Sequence, residues 1–295
     1  MKPTELKTKI FLDSGDPDES RKVMNMLGFL DGQTTNPSLI IKNPTLLERV
    51  GKGIIYTKKD LLLAYEEIIK EIATIIPEGD ISIEVYADKD TLYKEMVNEA
   101  HQMYSWIKNG RIKLPIIEEG IKAAEILSKN NMRLNMTLCF SQEQAASVYV
   151  ATKQNENKTF VSPFIGRLND IGIQGVDLIR NILRMYYLFD KKTEVLSASI
   201  RDLPSFLYCL YLGSDIITAP FKIIKEWYED GMKLPNKDYD KEFFNASDYL
   251  NNDFKEILYK KVDLNSDLSF FNINHDLTNT GLEKFAKDWN AVIKK

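Results

Sequence analysis

One lysine sits inside an apolar, strand-like run, Ile112-Lys113-Leu114-Pro115-Ile116-Ile117. A lysine drawn into a low-dielectric interior loses part of its ordinary pKa of about 10.4 and becomes a nucleophilic amine. Such an amine condenses with a ketone, and the resulting iminium accepts the electrons of a breaking C–C bond. Asp13 and Glu84, at the ends of two other strand-like runs, could supply the base for a substrate hydroxyl and the proton relay that imine chemistry needs. Ser162-Pro163-Phe164-Ile165-Gly166-Arg167 and Ser199-Ile200-Arg201 each set an arginine beside a serine, a pairing suited to clamping a phosphate. Asn36, and Asn135 with Thr137, complete the polar set at strand ends. Each feature has a plainer alternative. Lys113 could snorkel out of its strand, the carboxylates could be caps or ion pairs, and the arginines could lie in solvated loops.

A scaffold must gather these side chains. Eight segments read as strands: Thr8–Asp13, Asp31–Asn36, Ile81–Tyr86, Arg111–Pro115, Met132–Leu138, Thr159–Phe164, Glu194–Ser199 and Asp215–Ala219. Helical patterns separate them. Asp16-Pro17-Asp18-Glu19 offers a cap, a first-turn proline and a capping-box Glu, with Gly28 as the stop. Ser141 with Gln144 opens a helix carrying Ala145, Val148 and Thr152 on one face. Asp202-Leu203-Pro204 opens another, with Phe206, Leu207 and Leu210 inward and Gly213 at its end, and Leu92, Met96, Ala100 and Met103 form a further stripe. Strands alternating with helices, with no hairpin signals, predict parallel βα units, and eight such units close a (β/α)8 (TIM) barrel. A doubly wound sheet is the competing α/β architecture, but no GxGxxG turn follows any strand.

In a barrel the functional groups come from the C-terminal strand ends, which is where the polar set falls. The expectation is one barrel domain over residues 1–295, with Asn43–Lys59 as an extended connection, a polar insertion at about 232–278 and a terminal helix at about 280–294 bearing Leu282, Phe285 and Trp289.

Composition narrows the function. The 295 residues carry 39 Lys plus Arg against 43 Asp plus Glu, a net charge of −4, with 44% apolar and 28% charged residues. Those values fit a globular chain and argue against gripping nucleic acid. Two histidines and two cysteines, with no CxxC or HExxH spacing, argue against a metal site and against a disulfide framework. No secretory signal and no 18-residue apolar window are found, so a cytoplasmic protein with no membrane partner is expected.

Several motifs, taken in order, resemble the transaldolase family. They are Phe11-Leu12-Asp13-Ser14-Gly15-Asp16, Gly32-Gln33-Thr34-Thr35-Asn36-Pro37-Ser38, Lys113-Leu114-Pro115 with Glu119-Gly120, and Asn135-Met136-Thr137-Leu138-Cys139-Phe140-Ser141-Gln142. Ser162 to Arg167, Ala198-Ser199-Ile200-Arg201 and the closing Leu277-Thr278-Asn279-Thr280-Gly281-Leu282-Glu283-Lys284-Phe285 complete the series.

The resemblance implies a (β/α)8 barrel that transfers a dihydroxyacetone unit between sugar phosphates through a lysine Schiff base. In that picture Lys113 forms the Schiff base, Asp13 takes the hydroxyl proton, and Glu84 with Thr137 handles a catalytic water. Asn36 and Asn135 hold substrate hydroxyls, with Ser162 nearby, and Arg167, Ser199 and Arg201 hold the phosphate. No metal or organic cofactor is implied, and the oligomeric state is left open. Ile117 departs from the family's K-x-P-x-T pattern, where a Thr is usual. Two alternatives remain. One is the fructose-6-phosphate aldolase-like branch, which carries Tyr in place of Phe164 and Gln in place of Glu84. The other is a barrel that binds sugar phosphate without turning it over.

Overall fold

The computed structural model describes residues 2–189, 192–245 and 254–293. Eight strands close a parallel barrel in chain order: β1 (Lys9–Asp13), β2 (Gly32–Thr34), β3 (Asp80–Glu84), β4 (Gly110–Pro115), β5 (Leu134–Cys139), β6 (Thr159–Pro163), β7 (Thr193–Ser197) and β8 (Ile216–Ala219). All eight lie where the sequence places strands, shifted by up to two residues at their ends. Around them run α1 (Pro17–Leu27), α2 (Pro37–Ile40), α3 (Pro44–Gly51), α4 (Lys58–Ile75), α5 (Tyr93–Tyr104), α6 (Glu118–Lys129), α7 (Gln142–Thr152), α8 (Ile165–Asn169), α9 (Gly175–Tyr187), α10 (Leu203–Tyr211), α11 (Phe221–Glu229), α12 (Tyr239–Asn245) and α13 (Asp276–Asn290). No described helix is long and apolar enough to cross a membrane.

Local chemistry sets the boundaries. Gly28 ends α1 at φ +76°, a left-handed conformation that glycine adopts without a Cβ penalty. Asp16 caps α1, but Glu19 does not close a capping box: it accepts from Ser14 Oγ at 2.5 Å. Similarly, Ser141 caps α7, while Gln144 reaches one residue further back, to Phe140 N–H at 2.7 Å. Leu92 leaves its expected stripe. It occupies the N-cap position of α5, 56% exposed, while Met96, Ala100 and Met103 are buried.

Asn43–Lys59 is not an extended connection. Asn43 caps α3, accepting from Thr45 N–H at 3.0 Å, and Pro44 takes the first turn. The same Asn-Pro pairing at Asn36-Pro37 starts α2 and ends β2 at Thr34, before the expected Asn36.

The last helix begins at Asp276, four residues earlier than about 280, because the His275 ring caps it. Its Nδ1 accepts from Leu277 N–H at 3.2 Å, and burial lowers the ring's pKa, favouring the neutral form that can accept. The polar stretch before α13 crosses the barrel's outside as a strap. Gln142 exchanges two hydrogen bonds with the Lys260 backbone, at 3.1 and 2.8 Å, and Asp177 accepts from Ile257 N–H at 3.1 Å. Residues 246–253, which the expected insertion includes, fall outside the described residues. The strap delivers α13 over the C-terminal mouth. There Leu282, Phe285 and Trp289 are buried, each worth about 1.5–3 kcal/mol by area.

Candidate active site

Strand register brings the polar residues side by side. Glu84 pairs with Lys113 across β3 and β4, and Lys113 pairs with Asn135 across β4 and β5. Because side chains alternate along a strand, Ile112 and Leu114 face the helices while Lys113 faces the barrel interior. Its Nζ lies 2.9 Å from Glu84 Oε2 and donates to the Thr35 carbonyl at 3.2 Å. Both ion-pair side chains are 4% exposed. The lysine does not snorkel out.

A cavity of about 190 Å³ opens over this pair. Asp13, Asn36, Lys113, Ser162, Phe164, Arg167, Ser199 and Arg201, all expected from sequence, line it. Glu84, Asn135 and Thr137 are buried and stand outside the lining. Asn135 donates to Ser82 Oγ at 3.0 Å and accepts from Ser162 Oγ at 2.6 Å. The Thr137 hydroxyl is buried and makes no hydrogen bond with a described residue. Asp13 accepts from Thr34 Oγ1 at 2.7 Å, and Thr34 Oγ1 lies 2.6 Å from Thr218 Oγ1. Asn36 spends its carbonyl on the α2 cap, accepting from Leu39 N–H at 2.9 Å. Burial pushes the carboxyls of Asp13 and Glu84 up from their ordinary values, opposed by the charge of Lys113 and, more weakly, of Arg167. Carboxyls raised in this way exchange protons nearer neutral pH than exposed ones do.

The two arginines are not equivalent. Arg201 is half-exposed and forks onto Asp170 with bonds of 2.9 and 2.7 Å, so it reaches the cavity already paired. Arg167 is more buried and makes no hydrogen bond or salt bridge with a described residue. Its guanidinium lies 5.2 Å from the ring centres of both Phe164 and Phe285, a cation–π seat. Ser199 holds φ +60° beyond the end of β7, and its carbonyl accepts from Gly166 N–H at 3.0 Å. A Cβ at Gly166 would stand 2.3 Å from that carbonyl, so glycine is required for the approach of these two loops.

Sequence reasoning missed what α13 and the neighbouring strands contribute. Thr34, Ser38, Thr218, Lys284 and Phe285 also line the cavity. Ser38 donates to Asp288, and Lys284 pairs with the same carboxylate at 3.1 Å. The GLEKF run signalled the helix, but nothing local to it told which barrel end it covers. Ile117, the departure from the family pattern, lines a different groove with Ile121, Leu268 and Phe271. Among the described residues, no group of three or more His, Cys, Asp or Glu gathers where an ion could be held.

The arrangement unites a buried amine, two carboxyls and a cation-rich rim. The sequence profile described as Transaldolase/Fructose-6-phosphate aldolase matches residues 10–295. The chain belongs to this family. A probable transaldolase of Brucella anthropi is 41% identical over 217 residues, covering 74% of this chain and 87% of that protein. A probable transaldolase of Clostridium kluyveri is 32% identical over 287 residues, covering 97% of this chain and all of the relative (100%). Family membership and the cavity together make the lysine end of the barrel the place to look for chemistry.

Proposed function

We propose that the protein is a transaldolase that moves a dihydroxyacetone unit from a ketose phosphate (sedoheptulose 7-phosphate or fructose 6-phosphate) to an aldose phosphate (glyceraldehyde 3-phosphate or erythrose 4-phosphate). The observation that carries this reading is Lys113, buried against Glu84 on the floor of a cavity that Asp13 and Arg167 also line. Lys113 Nζ adds to the ketose carbonyl carbon, and loss of water leaves a protonated imine. Asp13 then takes the proton of the hydroxyl on the second carbon from the imine, and the C–C bond between that carbon and the one adjoining the imine breaks. The aldehyde departs, and the electron pair passes into the iminium to give an enamine. An acceptor aldehyde adds to the enamine carbon, Asp13 returns its proton to the new alkoxide, and water hydrolyses the imine to restore the amine. Glu84 and Thr137 manage the proton transfers to and from water. Asn36, Asn135 and Ser162 hold substrate hydroxyls and the imine, while Arg167, Ser199 and Arg201 take the phosphate.

The lyase reading, which would release free dihydroxyacetone, is disfavoured by Phe164 and Glu84. The aldolase-like branch carries Tyr and Gln at those places. A binding-only barrel would have no use for Lys113, Asp13 and Glu84 together.

The test is borohydride trapping with fructose 6-phosphate, followed by peptide mass mapping. A reduced dihydroxyacetone adduct on Lys113 is expected, and turnover should require an aldose phosphate. No adduct on folded protein would sink the covalent mechanism, and acceptor-independent release of dihydroxyacetone would favour the lyase.

A further inference from the structure

We propose that Tyr65, on α4, is a positioning residue that holds Lys113 in place by diverting one backbone amide. The inference rests on the assignment of Lys113 above and names a residue outside the motifs that carry the family resemblance. Among the described residues Lys113 Nζ has two partners, the Glu84 carboxylate at 2.9 Å and the Thr35 carbonyl at 3.2 Å. Both belong to the ends of neighbouring strands, β2 and β3, and the Tyr65 hydroxyl touches both ends. It accepts from Glu84 N–H at 3.1 Å and lies 2.8 Å from Thr35 Oγ1.

The directions of these bonds can be assigned. Thr35 Oγ1 donates its one proton to the Ser82 carbonyl at 2.8 Å, so the Tyr65 hydroxyl must donate to Thr35 Oγ1. Glu84 N–H, Tyr65 O–H, Thr35 O–H and the Ser82 carbonyl therefore form one directed chain, fully buried. The β2–β3 ladder explains why the chain matters. Thr35 N–H donates to the Ser82 carbonyl at 3.1 Å. A parallel ladder carried one step further would send Glu84 N–H to the Thr35 carbonyl. Tyr65 takes that amide instead, and the Thr35 carbonyl is left to accept from Lys113. The ring that carries the hydroxyl is wedged, edge-on to Trp106 at 5.5 Å and tilted against Trp289 of α13 at 5.9 Å. Burial raises the phenol's pKa further above its ordinary value, so the hydroxyl stays protonated and remains a donor.

Tyr65→Phe keeps the ring and removes the oxygen, leaving Glu84 N–H free to close the ladder onto the Thr35 carbonyl. The expected result is a fall of about 10- to 100-fold in kcat with KM changed less than about threefold. Borohydride trapping of Lys113 should slow in parallel. Wild-type kcat and trapping rate in a folded variant, with only a lowered Tm, would make Tyr65 an ordinary core side chain and overturn the proposal. Should Tyr65→Phe not fold, Thr35→Val decides. It leaves Glu84 N–H on the Tyr65 oxygen but removes the acceptor that orients the hydroxyl, so kcat and the trapping rate should fall in the same direction but by less, and no change in either would overturn the proposal. Trapping of the wild-type protein separates the two ideas. An unreactive wild type sinks the Lys113 assignment and this inference with it, whereas a reactive wild type beside an unaffected variant sinks this inference alone.

Discussion

Arg111 and Lys113 share β4 and, two residues apart, the same inward face. Arg111 lies in the lower layer with every donor nitrogen engaged. It forks onto Asp80 with bonds of 2.8 to 3.0 Å, donates to the carbonyls of Leu134 and Lys158 at 3.2 and 2.7 Å, and stacks 3.5 Å from the Phe160 ring centre. Lys113 has one carboxylate, one carbonyl and a cavity above it. Both cations are buried, so burial of charge does not by itself mark chemistry. A guanidinium with every nitrogen engaged plugs the barrel floor. An amine with spare hydrogen-bonding capacity, facing open space and two carboxyls, is what the proposed imine chemistry requires.

Reciprocal exchange of the two residue types breaks this comparison most sharply. Lys113→Arg keeps the charge beside Glu84 but substitutes a group that is not deprotonated in proteins and cannot form the imine. Turnover should fall by about 10³-fold or more, with the fold retained by circular dichroism. Arg111→Lys keeps the charge but loses the fork, a carbonyl bond and the planar stack. Denaturant unfolding should report a loss of about 2–4 kcal/mol, while kcat per folded molecule stays within about twofold. A large kcat loss in Arg111→Lys would show that the lower layer is not merely structural.

The same contrast explains how far the sequence could be read. All eight strands were legible because apolar period and helix caps are local signals, and Lys113 was legible because a charge inside an apolar run is anomalous. Arg111 was not singled out: at the edge of its run it looks like an ordinary flank, and only the fold supplies Asp80, two carbonyls and Phe160. Tyr65 was invisible for a related reason. On an amphipathic helix its aromatic body reads as core, and the partners of its hydroxyl are 30 and 19 residues away. Arg201 was expected to meet phosphate alongside Arg167, but its pairing with Asp170 depends on where α8 ends. The strap was legible only as polarity, since its bonds to Gln142 and Asp177 reach across 118 and 80 residues of chain.

A smaller effect is expected at the cavity rim, where Arg167, like Lys113, retains free donors. The Gly281 Cα of α13 leaves room for it: a Cβ there would stand 2.4 Å from Arg167 Nη1 and 2.7 Å from Leu138 Cδ2. Leu138 is held at φ +60°, and its carbonyl accepts from Thr278 Oγ1 at 2.9 Å, so the leucine side cannot retreat freely. Gly281→Ala should therefore displace the guanidinium. KM for phosphorylated donors should rise about tenfold, and trapping with unphosphorylated dihydroxyacetone should change little. Equal losses with both would mean that Arg167 does not serve the phosphate.

The last prediction concerns a part-buried charge, which belongs to neither class. Glu99 of α5 accepts from Tyr86 N–H at 3.0 Å and has no forked cation, and it lies outside the lysine cavity. Burial pushes its pKa up to about 7 from an ordinary 4.5, with the Tyr86 amide and Lys58 opposing. A carboxyl raised on folding gives its stabilising contribution in full below pH 4.5 and loses it as pH rises through about 7. The unfolding free energy should therefore decline across that window by about 1–3 kcal/mol from this group. Glu99→Gln retains an acceptor for Tyr86 N–H and cannot titrate, so denaturant melts between pH 4.5 and 7 should show a flatter slope by that amount, with kcat at neutral pH unchanged. An unaltered slope would mean that Glu99 is better solvated than its packing implies. A flatter slope would show that a part-buried charge away from the reacting groups costs stability.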